Sequence, residues 1–154
     1  MIETPDYLAP WMMSQRWFAG KGRAPQLQII GGFELAGAGD GDVVVIRVHL
    51  VLDSAENPLL YQVPLTERRH PLAGAEHALV ATVTDEHSAR YIYDGPHDPA
   101  FASALLRLIL DESDSIAEDG SGRVAAFGHR DLDHNTRILG SKVLGGEQSN
   151  TSIV

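Results

Sequence analysis

Cysteine is absent from this 154-residue chain, which excludes a disulfide framework, a thiolate nucleophile and any zinc site built on sulfur. Nothing in the sequence requires an oxidising compartment. Basic side chains are scarce: 12 Lys and Arg stand against 21 Asp and Glu, a formal charge of -9. That balance opposes nonspecific attraction to nucleic acid or to an anionic membrane surface. No run approaches the roughly 18 apolar residues of a membrane-spanning helix. The opening Met1-Ile2-Glu3-Thr4-Pro5-Asp6 has neither the basic stretch nor the apolar core of an export signal. A cytoplasmic location, with no nucleic-acid or membrane partner, is expected. The sequence also lacks a Gly-x-Ser-x-Gly elbow, a His-Glu-x-x-His pair and a Walker Lys-Ser/Thr, so common hydrolase and P-loop readings have no residues to support them. No internal repeat or low-complexity tract is visible.

What is present suits a folded domain: 44% hydrophobic and 21% charged residues supply a core and a solvated surface. Thr4 is placed to cap a first helix opened by Pro5, with Leu8, Trp11 and Met12 as its apolar stripe and Pro10 kinking or splitting it. Leu27-Gln28-Ile29-Ile30 reads as a strand entering a turn at Gly31-Gly32. The clearest strand covers residues 43–52, with Val44, Ile46, Val48, Leu50 and Leu52 on one face that is expected to be fully buried. A short polar link, residues 53–58, joins it to a second alternating run over residues 59–66. Pro64 in that run donates no ladder bond, which points to an edge position. Residues 78–84 and 90–93 are further strand candidates.

The sharpest helix boundary is Asp98-Pro99. Asp98 accepts from the orphan amides of the first turn, Pro99 sits where no donor is needed, and Phe101, Ala102, Leu105, Leu106, Leu108 and Ile109 make a broad apolar face. Residues 111–122 read as an exposed acidic connection, and residues 123–127 and 136–139 as short strands. The fold class is α+β. A domain boundary is placed near residue 90, with residues 1–90 as one unit and 91–154 as the start of another.

Two segments invite a functional reading and each has a plainer one. Arg16, Trp17, Lys21 and Arg23 around Gly20 and Gly22 could stack on a sugar or hold a phosphate. Ordinary burial favours Trp17 and Phe18 anchoring the helix on a sheet, with Arg16 snorkelling. His129-Arg130-Asp131-Leu132-Asp133-His134-Asn135 resembles a protein-kinase catalytic loop, but Asn135 falls one position too early after Asp131. A metal set from His129, Asp131 and His134 lacks a periodicity that would bring the three together. A solvated turn is the simpler reading. His49, His70, His77, His87 and His97 are scattered without ligand spacing.

The last residues, Leu144-Gly145-Gly146-Glu147-Gln148-Ser149-Asn150-Thr151-Ser152-Ile153-Val154, form a glycine- and hydroxyl-rich turn running into an apolar pair. Free backbone amides and hydroxyls in such a turn suit an anion such as a phosphate, although the same composition marks many ordinary hairpins. Taken with Arg16-Trp17-Phe18-Ala19-Gly20-Lys21-Gly22-Arg23, the string strongly resembles the N-terminal part of actinobacterial maltokinases and their aminoglycoside-phosphotransferase-like relatives. The two motifs bracket nearly the whole chain.

The resemblance implies transfer of the γ-phosphate of ATP to maltose, giving maltose 1-phosphate for α-glucan and glycogen synthesis, with Mg²⁺ as the metal. It implies a cystatin-like N-terminal cap over about residues 1–90, followed by the beginning of the kinase intermediate and N-lobe region. Gln148, Ser149, Asn150, Thr151 and Ser152 would form the loop that covers the phosphates of ATP. The phosphate-gripping lysine, the catalytic Asp, the Mg²⁺ ligands and the sugar-binding residues would lie beyond Val154. The chain alone is then not an enzyme, binds ATP and Mg²⁺ poorly, and has the remainder of the kinase polypeptide as its partner, with a homo-oligomer through the truncated strand as a further possibility. Relatives acting on glucosamine, other sugars or aminoglycosides share the cap. A stand-alone cystatin-like binding module is the reading from another class.

Overall fold

A computed structural model of the chain describes residues 3–37, 41–117, 122–127, 139–144 and 153–154. Strands β1 (Leu27–Glu34), β2 (Val43–Asp53), β3 (Leu59–Arg68), β4 (Leu79–Thr84) and β5 (Ala89–Asp94) form one antiparallel sheet in the order β1-β2-β3-β5-β4. The α+β expectation holds. The 43–52 and 59–66 alternations pair as a hairpin, with Asp53 opposite Leu59 and Ile46 opposite Thr66. Helix α1 (Leu8–Ser14) and helix α2 (Pro99–Leu110) cover opposite faces. Leu8 and Met12 join Val51, Val63 and Leu65 in one core, while Phe101 and Leu108 join Ile46 and Val48 in another. Because Val51 differs in parity from Ile46 and Val48 along a continuous register, β2 is buried on both faces.

Several local expectations are corrected. Helix α1 begins at Leu8 with Tyr7 at its N-cap and no side-chain cap. The Thr4 hydroxyl instead accepts from the Ile29 amide at 3.1 Å, tying the N-terminal segment to β1. Pro10 is the third helical residue, inside the first turn, where its missing amide breaks no intrahelical bond, so the helix is neither kinked nor split there. Gly31 and Gly32 are not a turn. Strand β1 runs through them, with a register irregularity between Ile29 and Gly31. A Cβ on Gly32 would stand 2.6 Å from the Val48 carbonyl oxygen, and one on Gly122 would stand 2.1 Å from that of Gly32. These glycines permit a backbone crossing.

Val44 is not part of a buried face; the register skips it between Val43 and Val45, and it is 39% exposed. Strand β3 is internal only from Leu65 to Arg68, where β5 pairs with it; over residues 59–63 β2 is its one ladder partner among the described residues, so the edge expectation holds for that part alone. Pro64 stands where the β5 ladder stops, which reconciles a proline with a central strand. The stretch at 111–122 is more than a connection, because β6 (Asp114–Ile116) pairs with β7 (Arg123–Ala125) in a small second sheet beside β1.

Asp98 fastens α2 to the large sheet. Its Oδ1 accepts from the Ala100 amide at 2.9 Å, as the Asp-Pro signature predicts. It also receives Arg68 Nε and Nη2 at 2.7 and 2.8 Å and the Thr66 hydroxyl at 2.7 Å. The Arg68 and Asp98 side chains are 5% and 0% exposed, so one buried carboxylate joins a helix cap to the C-terminal end of β3.

Candidate functional site: an aromatic clasp and groove

The 16–23 segment works chiefly as a structural clasp. Phe18 is buried against Tyr61, with ring centroids 5.3 Å apart. Trp17 lies between Trp11 and Tyr61, 5.8 Å from each, in edge and tilted geometries. The Ala19 amide donates to the Tyr61 hydroxyl at 3.3 Å. Arg23 forms a two-point pair with the buried Asp53, at 3.2 and 2.7 Å, and Asp53 also accepts the Gln26 and Ala55 amides. The Arg23 guanidinium, helped by those amides, holds the Asp53 carboxyl below its usual range. Arg16 and Lys21 are exposed. Of the cations expected to meet a phosphate, Arg23 is therefore already engaged.

Gly20 fits only without a side chain: a Cβ would stand 2.8 Å from the Phe18 ring and 3.1 Å from Asp53 Oδ2. Gly20→Ala is expected to lower stability by about 1–3 kcal/mol through overpacking, measured by urea unfolding. An unchanged midpoint would show that the clasp yields freely.

Beside the clasp lies a cavity of about 660 Å³. Trp11, Trp17 and Tyr61 bound one side, and Phe101 and Leu105 of α2 bound the other. Leu60, Tyr61 and Gln62 all line it. Successive residues of a strand point to opposite faces, so the cavity must run along the flank of β3 that β5 leaves unpaired.

Among the described lining residues, Asp94 carries the one formal charge at neutral pH. Its side chain is 15% exposed, and its ion-pair contact is with His97 Nε2 at 3.8 Å. Burial pushes the Asp94 carboxyl up to about 6. His97 is a poor counterion, because burial, and then the neighbouring His77 ring 3.3 Å away, lower its own protonation. The groove thus combines aromatic walls with a half-satisfied carboxylate.

The sheet and clasp occupy the part of the chain that bears comparison with known proteins. Residues 11–98 match the family model of the maltokinase N-terminal cap domain. The chain belongs to this family. The matched span of the cap domain starts at Trp11 of the clasp and ends at Asp98, so it takes in all five strands of the sheet and both sides of the Arg68–Asp98 pair.

Beyond the matched span, Val143 bridges Ile153, and Lys142 and Val154 exchange backbone hydrogen bonds at 2.8 and 2.9 Å. A two-stranded stem therefore frames the glycine- and hydroxyl-rich string, and Ile153 packs on the α2 core. Gln148, Ser149, Asn150, Thr151 and Ser152 lie outside the described residues, as do His129, Asp131, His134 and residues 136–138 of the strand expected at 136–139; its last residue, Leu139, is fully exposed and in no strand. Among the described residues no three His, Asp or Glu side chains come together as metal ligands, and the groove lining supplies no cation for a phosphate.

Sequence reasoning missed Asp94 and His97. His77 and His97 are 20 residues apart in sequence and meet only because β4 and β5 pair, a juxtaposition without a spacing signature.

Proposed function

We propose that this chain is the non-catalytic N-terminal portion of an ATP-dependent sugar kinase, and that the parent enzyme is a maltokinase making maltose 1-phosphate for α-glucan and glycogen synthesis in the cytoplasm. The match of residues 11–98 to the cap domain carries the proposal. A helix laid on a five-stranded antiparallel sheet supports a cystatin-like cap. The cap occupies about the first 90 residues, and residues 91–154 begin the kinase intermediate and N-lobe region. Gln148, Ser149, Asn150, Thr151 and Ser152 contribute backbone and hydroxyl donors that position the phosphates of ATP, because phosphoryl transfer depends mainly on placement and charge neutralisation. The Mg²⁺ ligands, the catalytic groups and the sugar site belong to the remainder of the parent polypeptide.

Calorimetric titration of Mg-ATP into this chain is expected to show no binding in the micromolar range, since a half-site without the gripping lysine has few charge contacts for a triphosphate. Micromolar affinity would overturn the half-site reading. Expressing the reading frame with its genomic downstream sequence should yield maltose 1-phosphate from ATP and maltose, read by phosphorus NMR. Product with glucosamine in place of maltose would select a same-fold kinase for another acceptor. A stop codon directly after Val154 would favour the stand-alone binding module, the reading to which the aromatic groove lends weight.

A further inference from the structure

The unpaired flank of β3 has backbone groups and apolar walls in the arrangement an added strand requires. Strand β5 covers only Leu65 to Arg68. Over residues 59–63 no backbone partner other than β2 is present among the described residues. In an antiparallel strand every second residue turns its amide and carbonyl toward the second flank, so this stretch offers an open ladder about five residues long, roughly 16 Å. Leu60 is 59% exposed at its side. Native sheets normally blunt an open ladder with charge or proline. Here Pro64 ends it at one place only, and residues 59–63 contain no charge.

We propose that this flank binds an extended peptide segment as an additional strand, its side chains alternating between the Trp17–Tyr61 wall and the Phe101–Leu105 wall, and a lysine or arginine meeting Asp94. This proposal does not depend on the kinase reading. Three observations select the occupant. Backbone ladder groups recur with strand spacing, which main-chain recognition uses for affinity while flanking pockets give specificity. The groove's formal charge is negative and the chain carries a net charge of -9, so a basic segment is complementary, whereas a phosphorylated or acidic one is repelled. A second copy is disfavoured by charge, because it would bring a second Asp94 and another net charge of -9 to the same groove. Among the described lining residues a saccharide would find few polar side-chain groups: Gln62, Asp94, the two indole N–H groups and a Tyr61 hydroxyl already engaged by Ala19.

Both tryptophans of the chain, Trp11 and Trp17, line the groove, so intrinsic fluorescence reports its occupancy directly. A phage-displayed library of random linear eight-residue peptides is selected on the whole chain, and the best clone is synthesised and titrated by tryptophan emission. The expected clones carry a run of apolar residues with a flanking Lys or Arg and shift the emission. Methylating alternate peptide amides should weaken binding at least about tenfold by removing ladder donors, and Asp94→Asn should weaken it about tenfold without unfolding the chain. No enrichment, no emission shift, equal binding after amide methylation, or displacement by maltotriose or cellotriose would each overturn the proposal; displacement would assign the groove to a saccharide.

Discussion

Arg68→Met is expected to remove about 3–5 kcal/mol of stability, the largest loss predicted for a single substitution in this chain. Methionine fills similar volume, so the effect isolates charge. Asp98 is fully buried and receives two guanidinium hydrogen bonds together with the Thr66 hydroxyl and the Ala100 amide. Removing the guanidinium leaves a carboxylate that cannot reach water. Arg68 also approaches Asp42 at 3.5 Å, which adds to the cost in the same direction. Urea unfolding at pH 7 measures the loss, and a change below about 1 kcal/mol would contradict the account. The double variant Arg68→Met with Asp98→Leu should recover much of the stability, because a buried pair exchanged for apolar groups is often near neutral. Recovery stays incomplete by about 1 kcal/mol, since Asp98 also caps α2.

Asp94→Asn should act in the opposite sense, raising stability at neutral pH by something on the order of 2–3 kcal/mol. The folded-state carboxyl titrates at about 6, pushed up by burial, against about 4 in the unfolded chain. A raised acid pKa means that the native state binds the proton more tightly. Its contribution is therefore fully present below about pH 4 and is lost as pH rises through about 6. Asparagine keeps the shape without the charge, so the variant and the parent should coincide near pH 3, separate progressively from about pH 4 and level off above about pH 6. His49 tilts the parent the other way: burial, then Arg47, lowers it to about 4, so its neutral form stabilises the fold above the ordinary histidine range and that contribution is lost as pH falls through about 4. His49 is common to both proteins and drops out of the comparison at each pH. Equal unfolding midpoints at pH 3 and pH 7.5 would refute a destabilising Asp94. A residue that costs stability while facing a groove suggests a role in binding, which the peptide selection tests independently.

Local chemistry was legible wherever one strong pattern acted alone. The Asp98-Pro99 signature started α2 at Pro99, and the alternation on either side of residues 53–58 foretold the β2–β3 hairpin. It failed where a local signal was overruled by packing. Thr4 looked like a cap but its hydroxyl accepts from the Ile29 amide of β1, and Gly31-Gly32 looked like a turn but serves a backbone crossing. Pro64 suggested an edge; among the described residues the strand is paired on both sides along one part and on one side along the other, a state that no single residue encodes.

The sequence by itself determined the α+β class, the limits set by having no cysteine and few basic side chains, and the two motifs that resemble maltokinases. Those properties follow from composition, short-range periodicity and residue identity. Tertiary structure alone decided that Arg68 meets Asp98, that Arg23 is spent on Asp53, and that Asp94 faces an aromatic groove beside a half-paired strand. Each joins residues about 30 or more positions apart, or depends on where a neighbouring strand ends, and pairing register carries that information rather than local sequence.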